Sequence, residues 1–327
     1  MDTTHSDMPR DMPRNMLRHF DAEQVHAALA WEPLAAALAQ AFVSPPAAPV
    51  RHAHGMSSTD HFLLMPAWNS EWIGTKLVTV IPEAVAAGGH TVEATYLLLD
   101  RRTGAPRALL NGDALTVRRT AATSALAARM LARTDAHTLL MVGTGHLAPW
   151  MVRAHCALHR SLSRVLIWGR NPSAVIALVA TLRDEGLPAE AAPDLPDAVG
   201  HADIISCATT AVEPIVRGEW VREGTHLDLV GAFTPTMREV DDVAILRACV
   251  VVDDVSAALA EAGDLLQPLT HGVIDRDHIR ADLATVLRGT AVRRNDRDIT
   301  LFKSVGHALE DLAAASLVMA TAGAASI

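Results

Sequence analysis

The chain has 327 residues, half of them hydrophobic, with 37 acidic against 28 basic side chains and a formal net charge of −9. Its length and apolar share suit about two ordinary domains with sizeable cores, and an acidic balance without any basic block excludes a nucleic-acid surface built on phosphate neutralisation. Three widely spaced cysteines in apolar surroundings, Cys156, Cys207 and Cys249, fit reduced thiols rather than a disulfide framework, so a cytoplasmic location is expected.

Residues 1–19 repeat Asp-Met-Pro-Arg at 7–10 and 11–14 and contain no apolar run; they read as a disordered leader, neither signal peptide nor anchor. No stretch elsewhere reaches the ~20 apolar residues that span a bilayer, so no membrane partner is expected. Asp21 and Gln24 have the spacing of a capping box before a helix through Val25, Leu29 and Trp31. Apolar runs at 62–65, 74–80, 91–99 and 107–110, with turns at Gly88-Gly89 and Thr103-Gly104, predict antiparallel strands. An alanine-rich helix follows over 115–131.

The apolar run 138–141 then leads into Val142-Gly143-Thr144-Gly145-His146-Leu147-Ala148 and a helix-like segment through Trp150, Met151, Val152 and Ala154. Strand, G-x-G-x-x-A, helix is the arrangement that holds a dinucleotide pyrophosphate. Gly143 makes the tight turn, Gly145 lets backbone approach phosphate, and the N–H groups of the loop, His146 and Leu147 included, face the negative charge. The next strand, 164–168, ends without an acidic residue to bind a ribose 2′-hydroxyl, and Arg170 follows it instead. A guanidinium there suits a 2′-phosphate, so NADP(H) is favoured over NAD(H). Asn171 and Pro172 also read as N-cap and first residue of the following helix.

Beyond this, strand-like and helix-like segments alternate, with strands at 204–207, 226–230, 249–252 and 299–304 and a helix over 174–185. The pattern predicts an α/β, Rossmann-type doubly wound parallel sheet. Thr209 and Val230-Gly231 fall at carboxyl ends of its strands, where ligands bind. A last alanine-rich helix, 305 to about 321, returns to the first part of the chain. His155 and His159 read as surface residues of a helix, since no third ligand is spaced to complete a metal site; no metal is expected. Ser206-Cys207 reads as a buried strand end.

Several ordered motifs together resemble the ornithine cyclodeaminase/mu-crystallin family. They are Met65-Pro66-Ala67-Trp68, Gly74-Thr75-Lys76-Leu77-Val78, 100–106, 115–122, the glycine loop, Arg238-Glu239-Val240-Asp241 and Phe302-Lys303-Ser304-Val305-Gly306. The resemblance implies a nucleotide-binding domain, 121–304, inserted into a mixed α+β catalytic and dimerisation domain, 20–120 plus 305–327, with a homodimer as the assembly. It implies a small carboxylated imine or amino acid held between the domains by Arg51 and Lys76. It places Thr91, Arg119 and Thr120 on the cofactor or the edge of the site, and Ser304 and Val305 beside the nicotinamide. Its members often carry Gln where this loop has His146 and Leu147. Glu261-Ala262-Gly263-Asp264 resembles an acidic turn of the family with no role derivable from sequence.

Hydride transfer to a C=N bond needs the substrate carboxylate clamped in a dry cleft. Arg51 suits a bidentate carboxylate contact. Lys76, in a strand among apolar neighbours, suits a second contact or a proton donor with a tunable pKa. The family's cyclodeaminases carry an Asp, for the substrate's side-chain amine, where alignment here gives Phe233. An aromatic ring cannot replace a carboxylate as partner of an ammonium. The expectation is therefore an NAD(P)H-dependent reductase of cyclic ketimines such as pyrroline-2-carboxylate or piperideine-2-carboxylate. Ornithine cyclodeaminase, an alanine-type dehydrogenase and a non-catalytic NADP-dependent binding protein are the alternatives.

Overall fold

The structure is a computed structural model that describes residues 17–88 and 90–324. Residues 1–16 of the expected leader and Gly89 of the expected turn lie outside the described residues. The leader's last residues, Arg18 and His19, belong to a strand rather than to a disordered segment.

The first part of the chain comprises β1 (Arg18–Phe20), α1 (Ala22–Ala28), α2 (Trp31–Val43), β2 (His52–Gly55), β3 (His61–Trp68), β4 (Trp72–Val80), β5 (Val92–Asp100), β6 (Pro106–Asn111) and α3 (Gly112–Leu131). The capping box forms as expected, with Asp21 accepting from the Gln24 N–H and Gln24 reaching back to the Asp21 N–H. The helix it starts does not continue through Trp31. Pro33 has no N–H for the Leu29 carbonyl and its ring would clash there, so the chain breaks at Leu29–Ala30 and restarts with Pro33 in the first turn of α2. The strands make a six-stranded sheet in the order β1-β6-β5-β4-β3-β2, antiparallel except for the β1–β6 pair.

The second part comprises β7 (Thr138–Val142), α4 (Ala148–Leu158), β8 (Arg164–Trp168), α5 (Pro172–Asp184), β9 (Ala189–Ala191), α6 (Leu195–His201), β10 (Ile204–Cys207), β11 (His226–Leu229), α7 (Asp242–Arg247), β12 (Ala248–Val252), α8 (Val255–Glu261), α9 (Gly263–Thr270), β13 (Ile279–Asp282), α10 (Leu283–Leu287) and β14 (Ile299–Lys303). Its eight strands are all parallel, ordered β13-β12-β14-β11-β10-β7-β8-β9. Strand order reverses between β7 and β10, which is where an open α/β sheet leaves a crevice at its carboxyl edge. The last helix, α11 (Ala308–Ala324), packs back against α2, α3, β3 and β4 of the first part.

α3 joins the two parts, and its sequence shows why. Sixteen of its twenty residues are buried, so small side chains are needed on every side. Ala121, Ala125 and Ala128 enter the core under the parallel sheet, while Ala114, Leu115, Ala122 and Leu126 enter the core of the first part. Arg118 and Arg119 leave the helix in different directions. Arg118 stacks over Trp31 at 3.6 Å and lies 5.6 Å from Trp150, whereas Arg119 turns toward α11.

His155 is not on a helical surface. It is fully buried beneath the parallel sheet, with Nε2 3.1 Å from Asp228 Oδ2, to which Ser206 Oγ also donates at 2.7 Å. Packing of α4 against α3 and β7, with Asp228 of β11 as the buried partner, overrides the exposed reading.

Candidate active site

The glycine loop sits at the strand-order reversal. Gly143 has φ +116°, and a Cβ there would stand 2.7 Å from the Ala208 carbonyl oxygen, so only glycine allows the β7 turn to approach the end of β10. At Gly145 a Cβ would meet nothing within 4 Å, leaving the space above the loop open. Among the described residues, the N–H groups of Gly145, His146 and Leu147 have no hydrogen-bond acceptor. Such a row of free N–H groups before a helix suits an anion.

Two cavities meet at this loop. The outer one, about 270 Å³, is lined by Gly143, Thr144, Trp168, Arg170 and Asn171, among others, with no acidic side chain. Arg170 is exposed and has no hydrogen-bond or ion-pair partner among the described residues. Asn171 caps α5 by accepting from the Ser173 N–H at 3.0 Å. Gly145, Ala208, Thr209 and Thr210 are shared with the inner cleft, of about 340 Å³. Thr116, Arg119 and Thr120 from α3 form one wall of that cleft. The floor and far wall are Thr209, Val230, Gly231, Phe233, Ser304 and Val305 from the ends of the parallel strands. The inner lining contains no carboxylate, and Phe233 stands 47% exposed at its mouth.

Behind the α3 wall lies a buried set of paired charges. Lys76 is 3% exposed; its Nζ donates to Asp311 Oδ1 at 3.1 Å and to Thr116 Oγ1 at 3.3 Å, and lies 3.0 Å from Asp311 Oδ2 in the same ion pair. Arg119 donates through Nε to Asp311 at 3.1 Å and through Nη1 to Glu310 at 3.0 Å, leaving Nη2 without an acceptor among the described residues. Burial pushes the Lys76 ammonium down to about 8, with Asp311 opposing. Burial also pushes the Asp311 carboxyl up, but the charges of Lys76 and Arg119 more than offset it and hold it below its ordinary value.

The far wall is pinned by Asp253, whose Oδ2 accepts from the N–H groups of Val305 and Gly306 at 2.8 Å each. Gly306 has φ +82°, which turns the chain out of β14 and delays the last helix to Ala308. The acidic turn now has a physical role. Asp264 Oδ1 accepts from the Glu239 and Val240 N–H groups, and Glu261 forms a 3.1 Å ion pair with Arg51.

Most residues expected from sequence thus converge on the two cavities: Arg119, Thr120, Gly143, Gly145, His146, Leu147, Arg170, Asn171, Thr209, Val230, Gly231, Phe233, Ser304 and Val305. Three do not line them. Lys76 lies one layer back, behind Thr116. Arg51 faces a smaller cavity of about 170 Å³ with Glu261, and its Nη2 donates to the Val305 and Gly306 carbonyls. Thr91 is exposed at the start of β5, its carbonyl taken by the Ile81 N–H. Sequence reasoning missed Thr116, Glu310, Asp311 and Asp253. A signal existed for two of these: a buried Lys and Arg require counter-ions, and Glu310-Asp311 is the acidic pair in an otherwise small and apolar helix.

The sequence profile of the ornithine cyclodeaminase/mu-crystallin family matches residues 17–325. The Delta(1)-pyrroline-2-carboxylate reductase of Colwellia psychrerythraea is 38% identical over 314 residues, covering 93% of this chain and 98% of its own. The structure of Thermococcus litoralis Delta(1)-pyrroline-2-carboxylate reductase in complex with NADH and L-proline matches with a TM-score of 0.89 at 32% identity, covering 95% of this chain and 99% of that one. An archaeal alanine dehydrogenase dimer with bound NAD matches with a TM-score of 0.88 at 27% identity, covering 95% and 97%. Agreement over nearly the whole length, in sequence and in backbone, leaves one assignment: the chain belongs to the ornithine cyclodeaminase/mu-crystallin family.

Proposed function

We propose that the inner cleft reduces the C=N bond of a small cyclic imino acid, such as pyrroline-2-carboxylate or piperideine-2-carboxylate. The observation that carries this reading is the cleft lining, which offers one cation and apolar surface but no carboxylate for a cationic side chain. A buried ammonium without an acidic partner is rejected by several kcal/mol, whereas an uncharged ring beside Phe233 is not. The reductase relatives and the neighbour holding L-proline support it.

The residues present fit a nicotinamide dinucleotide: the loop N–H groups at 145–147 suit the pyrophosphate, and Thr209, Gly231, Ser304 and Val305 suit the ring. When bound in its reduced form, that cofactor supplies the hydride. The chain's own residues do the rest. Arg119 Nη2 binds the substrate carboxylate and orients the imine. Lys76 is mostly protonated at neutral pH and supplies the proton that the nitrogen gains as C=N becomes CH–NH. Thr116 Oγ1, which lines the cleft and accepts from Lys76 Nζ, relays it: the hydroxyl takes the Lys76 proton and gives up its own hydrogen, turned from the Gly112 carbonyl, to the imine nitrogen. Asp311 holds the resulting Lys76 amine in place until solvent restores its proton.

Substrates distinguish this reading from the others. Reduced-cofactor oxidation is expected with pyrroline-2-carboxylate and piperideine-2-carboxylate, without ammonia release from ornithine. Ornithine turnover would overturn the argument from Phe233, preferential use of pyruvate with ammonia would favour an alanine-type dehydrogenase, and tight cofactor binding without turnover would favour a binding protein.

Arg170, unpaired in a cavity without acids, supports NADP(H) over NAD(H). Arg170→Ala is expected to weaken NADPH by about 1.5–3 kcal/mol, roughly ten- to a hundredfold, with NADH little changed. Equal effects on the two cofactors, read by fluorescence titration, would remove the 2′-phosphate role.

The assembly we propose is a homodimer. On the six-stranded sheet, Met65, Val78, Tyr96 and Leu110 face the helices and are buried. Phe62, Leu64, Leu77, Leu97 and Leu109 face the other way and remain half-exposed as a contiguous apolar surface. A surface of that kind suits a second copy of the chain, and the archaeal neighbour is a dimer. Leu97→Asp is expected to give a monomer in light scattering; an unchanged mass in both proteins would place the interface elsewhere.

A further inference from the structure

Behind the floor of the cleft lies an acid that the mechanism does not use. Glu239 is fully buried. Its Oε1 accepts from the Thr209 N–H at 2.7 Å and from Thr209 Oγ1 at 2.9 Å, and its Oε2 accepts from the Gly231 N–H at 2.8 Å. The Thr209 hydroxyl also accepts from the Ala211 N–H, so its own hydrogen points at Glu239. Every partner is therefore a donor, an environment that suits a carboxylate and leaves a carboxylic acid proton with no acceptor. Beside it, Lys303 Nζ lies 3.4 Å from Asp264 Oδ2, with neither side chain exposed. With Glu239 ionised, two carboxylates and one ammonium leave a net charge of about −1.

The position of this charge matters. Thr209 and Gly231 line the cleft, and a Cβ on Gly231 would stand only 2.4 Å from Glu239 Oε1 and 2.1 Å from the Thr209 carbonyl oxygen, so the carboxylate lies directly behind the backbone of these two lining residues. Burial pushes the Glu239 carboxyl up to about 7, with Lys303 opposing and Asp264 adding to it. A buried negative charge of this kind gains most from a positive charge brought close in a water-poor site.

We propose that the Glu239–Asp264–Lys303 cluster biases the bound nicotinamide, favouring the oxidised, positively charged ring over the neutral reduced one and so making the bound cofactor a stronger hydride donor. This rests on the reading that the cleft holds a nicotinamide. A carboxylate that merely braced Thr209 and Gly231 would support both redox forms alike, whereas a charge acts on their difference.

The test is the ratio of dissociation constants for reduced and oxidised NADP(H), measured by calorimetry on the unaltered protein, Glu239→Gln and Asp264→Asn. Above about pH 8, where Glu239 is ionised, each variant removes one negative charge, and each is expected to shift the ratio about tenfold against the oxidised form, equivalent to about 30 mV for a two-electron couple. Asp264→Asn retains the oxygen that accepts from Glu239 and Val240, so it reads the same quantity if Glu239→Gln fails to fold. Weaker binding of both forms with the ratio unchanged would overturn the bias and leave Glu239 a brace. Absence of binding of either form to the unaltered protein would overturn the cofactor reading, and the bias with it.

Discussion

Lys76→Met is expected to lower the reductive turnover of pyrroline-2-carboxylate by about 10²–10⁴-fold, the range for loss of a positioned proton donor, while affinity for the reduced cofactor is retained. The separation follows from position. Lys76 Nζ reaches the cleft only through Thr116 Oγ1 and touches neither the glycine loop nor the carboxyl ends of β10 and β11. The pH profile carries the same signature. Reduction needs the protonated amine, so the unaltered rate should fall as pH rises through about 8, where burial places Lys76, and oxidation of the amino acid should rise over the same interval. That limb should vanish in Lys76→Met. A variant that keeps both turnover and limb would assign the proton to another group.

Asp311→Ala is expected to destabilise the folded protein by about 3–5 kcal/mol, because it leaves Lys76 and part of Arg119 as buried charges without their partner. Urea unfolding measures it directly. The exposed pair of Arg129 with Glu32 is the control, since Glu32→Gln should cost no more than about 1 kcal/mol. Similar small losses at both sites would mean that water or rearrangement reaches the Lys76 cluster.

Local signals were legible where backbone chemistry dictates the outcome. The positive-φ glycine at 143, the capping box at Asp21 and the alternating runs of β3 to β6 each follow from short-range rules, and each forms as the sequence implies. β2 carried no such signal, because all four of its residues are exposed and only pairing with β3 makes it a strand. The helix break at Leu29 was readable from Pro33, four residues on. His155 was misplaced because helical periodicity does not say which buried polar group will find a partner on another element; Asp228 lies 73 positions away.

The site divides in the same way. Residues that act through the chain near them, such as Gly145, Arg170 and Gly231, were visible at their own positions. Those that act through pairing across the fold were not. Asp311 meets Lys76 only because α11 returns from the parallel sheet to the antiparallel one. Arg51 is engaged by Glu261 and two carbonyls of the 305–306 turn, so the cation left for the cleft is Arg119. The acidic turn at 261–264 gained its meaning the same way, one acid pairing with Arg51 and the other holding the backbone on which Glu239 sits.

We propose that the inner cleft directs hydride to the imine carbon of a cyclic imino acid. The most direct test is a single turnover of pyrroline-2-carboxylate with reduced cofactor deuterated at the transferable position, read by mass spectrometry and proton NMR. Proline carrying one deuterium at Cα is the expected product. Proline without the label, or no proline from a protein that binds the cofactor, would contradict the proposal.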